Sequence, residues 1–333
     1  MSQTSLVDES TMLAVVSDKY GPPDVLELKQ VKRPEPKDHE VLVKVYATTV
    51  NRTDTALARA VPFLIGRLMS GLLKPREPIF GSEFAGEIVA FGDAVTAFNI
   101  GDQVFGFNGN GFGSHAQYMT ISAEGTLVTI PKGVTYEKAA ASTEGAFYGY
   151  NFINKVNLKK GSQVLVNGAT GGIGSATVQL LKHMGADVTA VCQGKHRELV
   201  TSLGASKVID YTTEDFTKMD HTFDFVFDSV GKSSFGACRP LLKPKGIYIS
   251  SELGAMAQNI FLPLITPLFA GKKVLFPLPL DCKGCLLLFQ KLLEEGQFDP
   301  VIDRSYPLEQ IVEAYQYVEQ GQKIGNVVIT VGH

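Results

Sequence analysis

Four cysteines in 333 residues are too few for a disulfide scaffold, which excludes small bridge-stapled architectures. Charge of one sign is also lacking. The 31 Lys and Arg against 34 Asp and Glu leave −3, so neither a broad basic face for nucleic acid nor a self-repelling disordered chain is expected. Nor is there a long uninterrupted apolar run: the stretch from Asn259 to Leu280 is cut by Pro263, Pro267, Pro277, Pro279 and the Lys272–Lys273 pair. It cannot form a lipid-spanning helix of ~20 residues, and no membrane partner is predicted. The opening MSQTSLVDES has no apolar core of a signal peptide, which predicts a cytoplasmic protein. Low-complexity linkers and internal repeats are missing too. What is present is ordinary globular composition, 44% hydrophobic and 9% aromatic, in a length that suits about two domains.

The rhythm of the chain changes once. Up to about residue 130, short apolar strands alternate with Gly, Pro and Asp, as in EVLVKVYATTV, FAGEIVAFG, DQVFGF and AQYMTI, which predicts a β-rich unit. From Val164 onward, strands are followed by segments of helical period: VLVNG then IGSATVQLLKHMG, VTAVC then KHRELVTSLG, and later VID, FDFVFDSVG and GIYIS. Strand–helix–strand alternation predicts a doubly wound parallel sheet with right-handed crossovers. Two more helical segments, CLLLFQKLLEEG and LEQIVEAYQYVEQG, precede a closing strand NVVITV.

The most informative segment is QVLVNGATGGIGSATVQLL, where an apolar strand runs into a glycine cluster that opens an amphipathic helix. Ala169, Gly171 and Gly174 fill the G-x-G-x-x-G spacing, with Ala in the first place. Gly171 lets backbone approach a pyrophosphate, Gly174 permits close helix–strand packing, and the helix start supplies N–H groups and positive dipole. The cradle is therefore expected to comprise Ala169, Thr170, Gly171, Gly172, Ile173 and Gly174. The next strand, Asp187 to Cys192, ends about twenty residues later, as a dinucleotide site requires. It runs into Cys192-Gln-Gly-Lys195-His196-Arg197 instead of Asp or Glu, which favours a 2′-phosphate and hence NADPH: Lys195 can meet the dianion, with His196 or Arg197 as a second donor. The plainer reading has these three cations decorating the exposed start of a helix.

Together, GSEFAGEIVAFG, GDQVFGF, VNGATGGIG, VIDYTTEDF, FDSVG and IGNVVITV, in that order over nearly the whole chain, resemble the medium-chain dehydrogenase/reductase superfamily, most closely its zinc-free quinone oxidoreductase branch. The resemblance implies a GroES-like β-rich catalytic domain from residues 1–139 and 286–333, with a Rossmann domain from 140–285 between them. Zinc-dependent members carry Cys where this chain has Asn51 and His where it has Ser82, and a four-cysteine lobe where it has FGFNGNGFGSHAQY. An amide and a hydroxyl are poor zinc ligands, so no metal is expected. The Cys282-Lys-Gly-Cys285 pair lacks the partners of a zinc site, and His115, among glycines, reads as a solvated loop residue.

The resemblance also implies roles for particular residues. Asn51 would lie near nicotinamide and substrate with Asp54 as its partner, although a turn-capping role for Asn51 fits the residues as well. Many relatives have Tyr where this chain has Ala56, so the usual aromatic donor is missing. Thr143 and Glu144 would face the nicotinamide carboxamide, Tyr211 the adenine and 2′-phosphate, Ser229 and Gly231 the cofactor at a strand end, and Lys323 and Asn326 the cofactor from the C-terminal segment. The apolar stretches 57–73 and 260–269 would wall the substrate, and the strand at Lys273 would pair two copies into a homodimer.

Without a metal, the expected chemistry is hydride transfer from NADPH to an acceptor activated by its own conjugation, a quinone or an α,β-unsaturated carbonyl. Two other readings stay open: a 2-enoyl thioester reductase, with Arg59, Arg67, Lys74 and Arg76 meeting a carrier, and an NADPH-binding structural or sensor protein with little catalysis.

Overall fold

The computed structural model describes residues 10–61, 67, 71–109, 111–269, 271–277 and 281–333. Much of the expected apolar 57–73 wall therefore lies outside the described residues. The chain forms two compact units, Met1–Thr143 with Ile302–His333, and Glu144–Val301.

The first unit opens with a hairpin-like pair, β1 (Thr11–Val16) and β2 (Glu27–Lys32), antiparallel to each other. Next come β3 (Glu40–Val50), β4 (Glu83–Phe91), β5 (Gln103–Phe107), β6 (Tyr118–Ser122) and β7 (Leu127–Thr129). The inserted unit supplies β8 (Gln163–Asn167), β9 (Asp187–Cys192), β10 (Lys207–Asp210), β11 (Phe223–Asp228), β12 (Leu242–Ser250) and β13 (Lys273–Leu275). The chain then returns to the first unit with β14 (Ile302–Pro307) and β15 (Asn326–Thr330).

In the first unit, one sheet runs β14-β15-β3-β4-β5-β7, with β6 also on β3. Every pairing in it is antiparallel except β14 with β15. Its inward faces, including Val41, Val43, Val45, Phe84, Ile88, Val327 and Ile329, form one core with Tyr315 and Val318 of the helix Ile311–Glu319. The alternation of apolar and polar residues along these strands is what leaves one face for that core.

The inserted unit is a six-stranded parallel sheet in the order β10-β9-β8-β11-β12-β13. Numbered within the unit this is 3-2-1-4-5-6, which places a reversal of winding between β8 and β11, where such sheets bind ligands at their carboxyl ends. β8 is short, β-branched and almost wholly buried, as a central parallel strand must be. β13 forms the outer edge, in parallel register with β12 from Ile247–Lys273 to Ile249–Leu275.

The structure moves the expected second domain boundary. Cys282–Glu294 is one helix, capped by the Asp281 carboxylate accepting from the Gly284 N–H, so a cut at 285/286 would fall inside its first turn. The Gln179 amide donates to the Asp299 carbonyl at 2.9 Å and accepts from the Asp299 N–H, which ties residues up to 299 to the inserted unit. Cys282 and Cys285 sit in that first turn, neither of them in a disulfide.

Candidate functional site

In the inserted unit, β8 ends at Asn167 and the chain turns through Gly168, Ala169 and Thr170 to Gly171, the N-cap of the helix Gly172–His183. Gly168 has φ +78, and a Cβ there would meet the Val230 side chain at 2.7 Å, so two constraints select glycine at this turn. Gly171 differs: its backbone is ordinary extended chain, and an added Cβ would meet nothing nearer than the Gly168 carbonyl oxygen at 3.7 Å. The space above Gly171 is open. At Gly174, by contrast, a Cβ would collide with the Gly168 carbonyl, so this glycine lets the helix press onto the strand. Gly171 and Gly174 thus divide between a space left open and a contact made close, and the open one lies at a helix start with orphan N–H groups.

Beside this turn, β11 ends in Asp228, which is fully buried. Its Oδ1 accepts from Asn167 Nδ2 at 3.0 Å and from the N–H groups of Val230 and Gly231, and its Oδ2 accepts from the Tyr248 hydroxyl at 2.9 Å and the Ser233 N–H. A buried carboxylate so fully met by donors fixes the loop that carries Ser229 and Gly231. The Ser229 hydroxyl donates to the Asn167 carbonyl at 2.7 Å, which joins that loop to the glycine turn. Burial first, then the Asp228 charge, raises the Tyr248 phenol far above its usual range and keeps it a donor. Neither Asp228 nor Tyr248 was singled out from sequence; the FD at the end of an apolar strand was the available signal.

Lys195 is exposed at the end of β9, and Tyr211, which directly follows β10, is 52% exposed. Arg197 is exposed as well, and its guanidinium donates from Nη1 to the Val208 carbonyl at 3.0 Å. Asp210 ends β10, and its Oδ1 is engaged by the hydroxyl and N–H of Thr212.

In the first unit, the centre is a carboxylate that sequence reasoning passed over. Glu83, 1% exposed at the start of β4, accepts from the Thr49 hydroxyl and the Asn51 amide on Oε2, and from the Thr143 hydroxyl on Oε1. An acid at the first position of a strand whose opening residues, Glu83 to Gly86, are all buried was the readable signal, since such a group requires donors. Asn51 is held at both ends. Its Nδ2 also donates to Thr49 Oγ1 at 3.1 Å, and its backbone N–H donates to Asp54 Oδ2 at 2.7 Å, the reciprocal half of a helix cap for Arg52–Arg59. The capping reading of Asn51 is thus met, with its side chain also part of the Glu83 group. Lys323 reaches the same residue, with Nζ 3.5 Å from Asn51 Oδ1 and 2.6 Å from the Gly325 carbonyl. Asn326 is buried at the start of β15.

His115 is not solvated. It is fully buried, with Nε2 donating to the Thr49 carbonyl at 2.9 Å, which leaves Nδ1 to accept from the Tyr315 hydroxyl at 3.3 Å. The glycine-rich neighbourhood misled because the chain folds back there, the His115 N–H donating to Phe80 and its carbonyl accepting from Val15. Burial lowers its pKa from 6.5 to about 4, partly opposed by the Thr49 carbonyl. The unfolded chain thus binds this proton near pH 6.5 and the folded one only near pH 4, so stability rises with pH across that window. We expect about 3 kcal/mol from this group to be lost between pH 7 and pH 4. In urea melts, His115→Gln should be less stable at pH 7 and show a shallower acid limb; an equally steep limb would contradict the assignment.

The chain belongs to the medium-chain dehydrogenase/reductase superfamily. The profile of the alcohol dehydrogenase GroES-like domain matches residues 37–132, and that of the zinc-binding dehydrogenases matches residues 203–329. The 2-methylene-furan-3-one reductase of Solanum lycopersicum is 31% identical over 349 residues, covering 98% of this chain and 83% of its own. The chloroplastic NADPH-dependent alkenal/one oxidoreductase of Arabidopsis thaliana is 29% identical, covering 96% of this chain and 79% of its own. Among solved structures, the quinone oxidoreductase from Coxiella burnetii superposes with a TM-score of 0.86 at 26% identity, covering 97% of this chain and all of its own.

The second profile's description implies zinc, and the side chains at the corresponding positions do not fit it. Asn51 turns its NH2 group, a donor, toward Glu83, and Ser82 offers only a buried hydroxyl without a partner. Among the described residues, no three His, Cys, Asp or Glu side chains group so as to share an ion. A nicotinamide coenzyme does fit the inserted unit, whose open space over Gly171 at a helix start suits a pyrophosphate. No helix among the described residues is long and apolar enough to cross a membrane.

Proposed function

We propose that this chain is a zinc-independent, NADPH-dependent oxidoreductase that reduces quinones or α,β-unsaturated carbonyls. The observation that carries the reading is the turn from Asn167 to Gly174, open over Gly171 and closed under Gly174, at the point where the sheet order reverses. The names of the similar proteins, a 2-methylene-furan-3-one reductase, an alkenal/one oxidoreductase and a quinone oxidoreductase, support the acceptor class.

Ala169, Thr170, Gly171, Gly172, Ile173 and Gly174 would hold the pyrophosphate, Lys195 and Tyr211 the adenosine 2′-phosphate, and Ser229 and Gly231 the strand-end side of the coenzyme. The absence of Asp or Glu directly after β9, and the exposed Lys195 there, favour NADPH over NADH. Thr143, Asn51 and Asp54 belong to the hydrogen-bonded group around Glu83, and Asn326 opens β15, which pairs with β3; these four would meet nicotinamide and acceptor. When bound, the coenzyme supplies a hydride, two electrons with one proton, and solvent supplies the second proton. The protein's part is orientation, exclusion of water, and a donor for the oxygen that gains charge. The four cysteines, none of them in a disulfide, suit the reducing cytoplasm, and the edge position of β13 suits pairing with a second copy.

The test is NADPH oxidation against a panel of quinones, enones and 2-enoyl thioesters, before and after chelator dialysis, with sedimentation of the same sample. We expect turnover of quinones or enones that survives dialysis, NADPH preferred over NADH, and a dimer. Turnover restricted to thioesters, activity that follows zinc content, or tight NADPH binding with no turnover would each overturn the reading in a different part.

A further inference from the structure

Hydride addition to the β-carbon of an enone forms a C–H bond, moves the C=C π pair toward the carbonyl and collects negative charge on its oxygen, until a proton from water completes the reduction. That oxygen needs a donor that is not already spent. The cluster at Asn51 has few to offer. The Asn51 NH2 faces Glu83 and donates to its Oε2, so the amide oxygen points away from that carboxyl. Its two N–H bonds go to Glu83 and Thr49, and the Thr49 and Thr143 hydroxyls are turned onto Glu83. Asp54 accepts, and Ala56 carries only a methyl. The Ser82 hydroxyl has no partner, but it is neutral and weaker toward an oxyanion than a cation.

This orientation of Asn51 leaves its Oδ1 facing the Lys323 ammonium, 3.5 Å away. From this geometry we infer that Lys323 is a catalytic residue, whose ammonium stands where the acceptor's developing oxyanion is stabilised. The long contact to Asn51 is the one an anionic oxygen would replace, while the 2.6 Å bond to the Gly325 carbonyl keeps Nζ in place. The segment is itself anchored: Asp303 Oδ2 accepts from the Ile324 N–H at 2.9 Å and from the Tyr317 hydroxyl at 2.5 Å. Lys323 is half-buried, enough to strengthen its charge without forbidding access. The resemblance alone would set this residue against the coenzyme; its position against Asn51 sets it against the acceptor.

The assignment rests on the proposed reduction of conjugated carbonyls, and its test separates the two. p-Nitrophenolate, an anionic oxygen on a flat ring, is titrated by its absorbance shift into wild type, Lys323→Met and Lys323→Arg, with NADPH binding and turnover measured on the same samples. Lys323→Met should weaken nitrophenolate binding by about 30-fold and lower kcat for an enone by about 100-fold, with NADPH affinity changed less than about threefold. Lys323→Arg, which keeps the charge, should stay within about tenfold of wild type in both. Unchanged nitrophenolate binding in Lys323→Met, or a loss of NADPH affinity that accounts for the fall in kcat/KM, overturns the assignment. A wild type that turns over no conjugated acceptor overturns the proposed function, while the nitrophenolate titration still decides where Lys323 directs its charge.

Discussion

Gly171→Ala should bind NADPH about 100-fold more weakly than wild type while folding as well or slightly better. The backbone at Gly171 is extended, a conformation alanine adopts freely, and the added methyl meets the protein at no less than 3.7 Å. The loss of unfolded-chain freedom then favours the folded state by about 0.5 kcal/mol. The same methyl fills the space into which a pyrophosphate must come, so the whole cost falls on binding, and a 100-fold loss corresponds to about 2.7 kcal/mol. Gly174→Ala is the contrasting case. Its methyl collides with the Gly168 carbonyl, backbone that can move only by separating helix from strand, so the fold loses about 3 kcal/mol or more. Coenzyme fluorescence titration and thermal melts on the two variants check this directly. If Gly171→Ala bound NADPH like wild type, the open space would have some other reason.

Glu83→Gln should cost about 3 kcal/mol of stability and at least about tenfold in kcat, although the two side chains have nearly the same shape. The carboxylate is buried and surrounded by donors from Thr49 and Asn51 at the end of β3 and from Thr143, two separate parts of the first unit. An amide keeps one accepting oxygen and turns an NH2 toward groups that can only answer it by rotating away. Asn51 would lose the partner that fixes its orientation, and Lys323 would lose the oxygen it faces. Because the chain has no tryptophan, far-UV circular dichroism in urea is the suitable probe of unfolding. A variant as stable as wild type would mean that the cluster is held by something other than this acid.

These two sites differ in how far the sequence disclosed them. The glycine turn was legible because strand, turn and helix are contiguous and its form is a matter of spacing: Gly174 lies against the strand end, Gly171 faces open space, and the parallel sheet follows from strand and helix alternation. The Glu83 cluster was not, since it assembles residues 49, 51, 83 and 143, and no local pattern reports a hydrogen bond across β3 and β4. His115 failed for the same reason, its partners Thr49 and Tyr315 lying 66 and 200 positions away. The helix Glu144–Asn154 was hidden by its composition, EGAFYGYNFIN, whose glycines and aromatics have weak helical preference, yet it is almost wholly buried and packs on the helix Gly172–His183. The strand Ile302–Pro307 was masked by its charges and terminal proline, which suit the edge position it occupies.

The most direct measurement is a calorimetric titration of the purified protein with NADPH and, separately, NADH. The account predicts one saturable NADPH site per chain, at least about tenfold tighter than NADH, with a rise in melting temperature that grows with NADPH concentration. No binding heat and no thermal shift with either coenzyme would contradict it at the root.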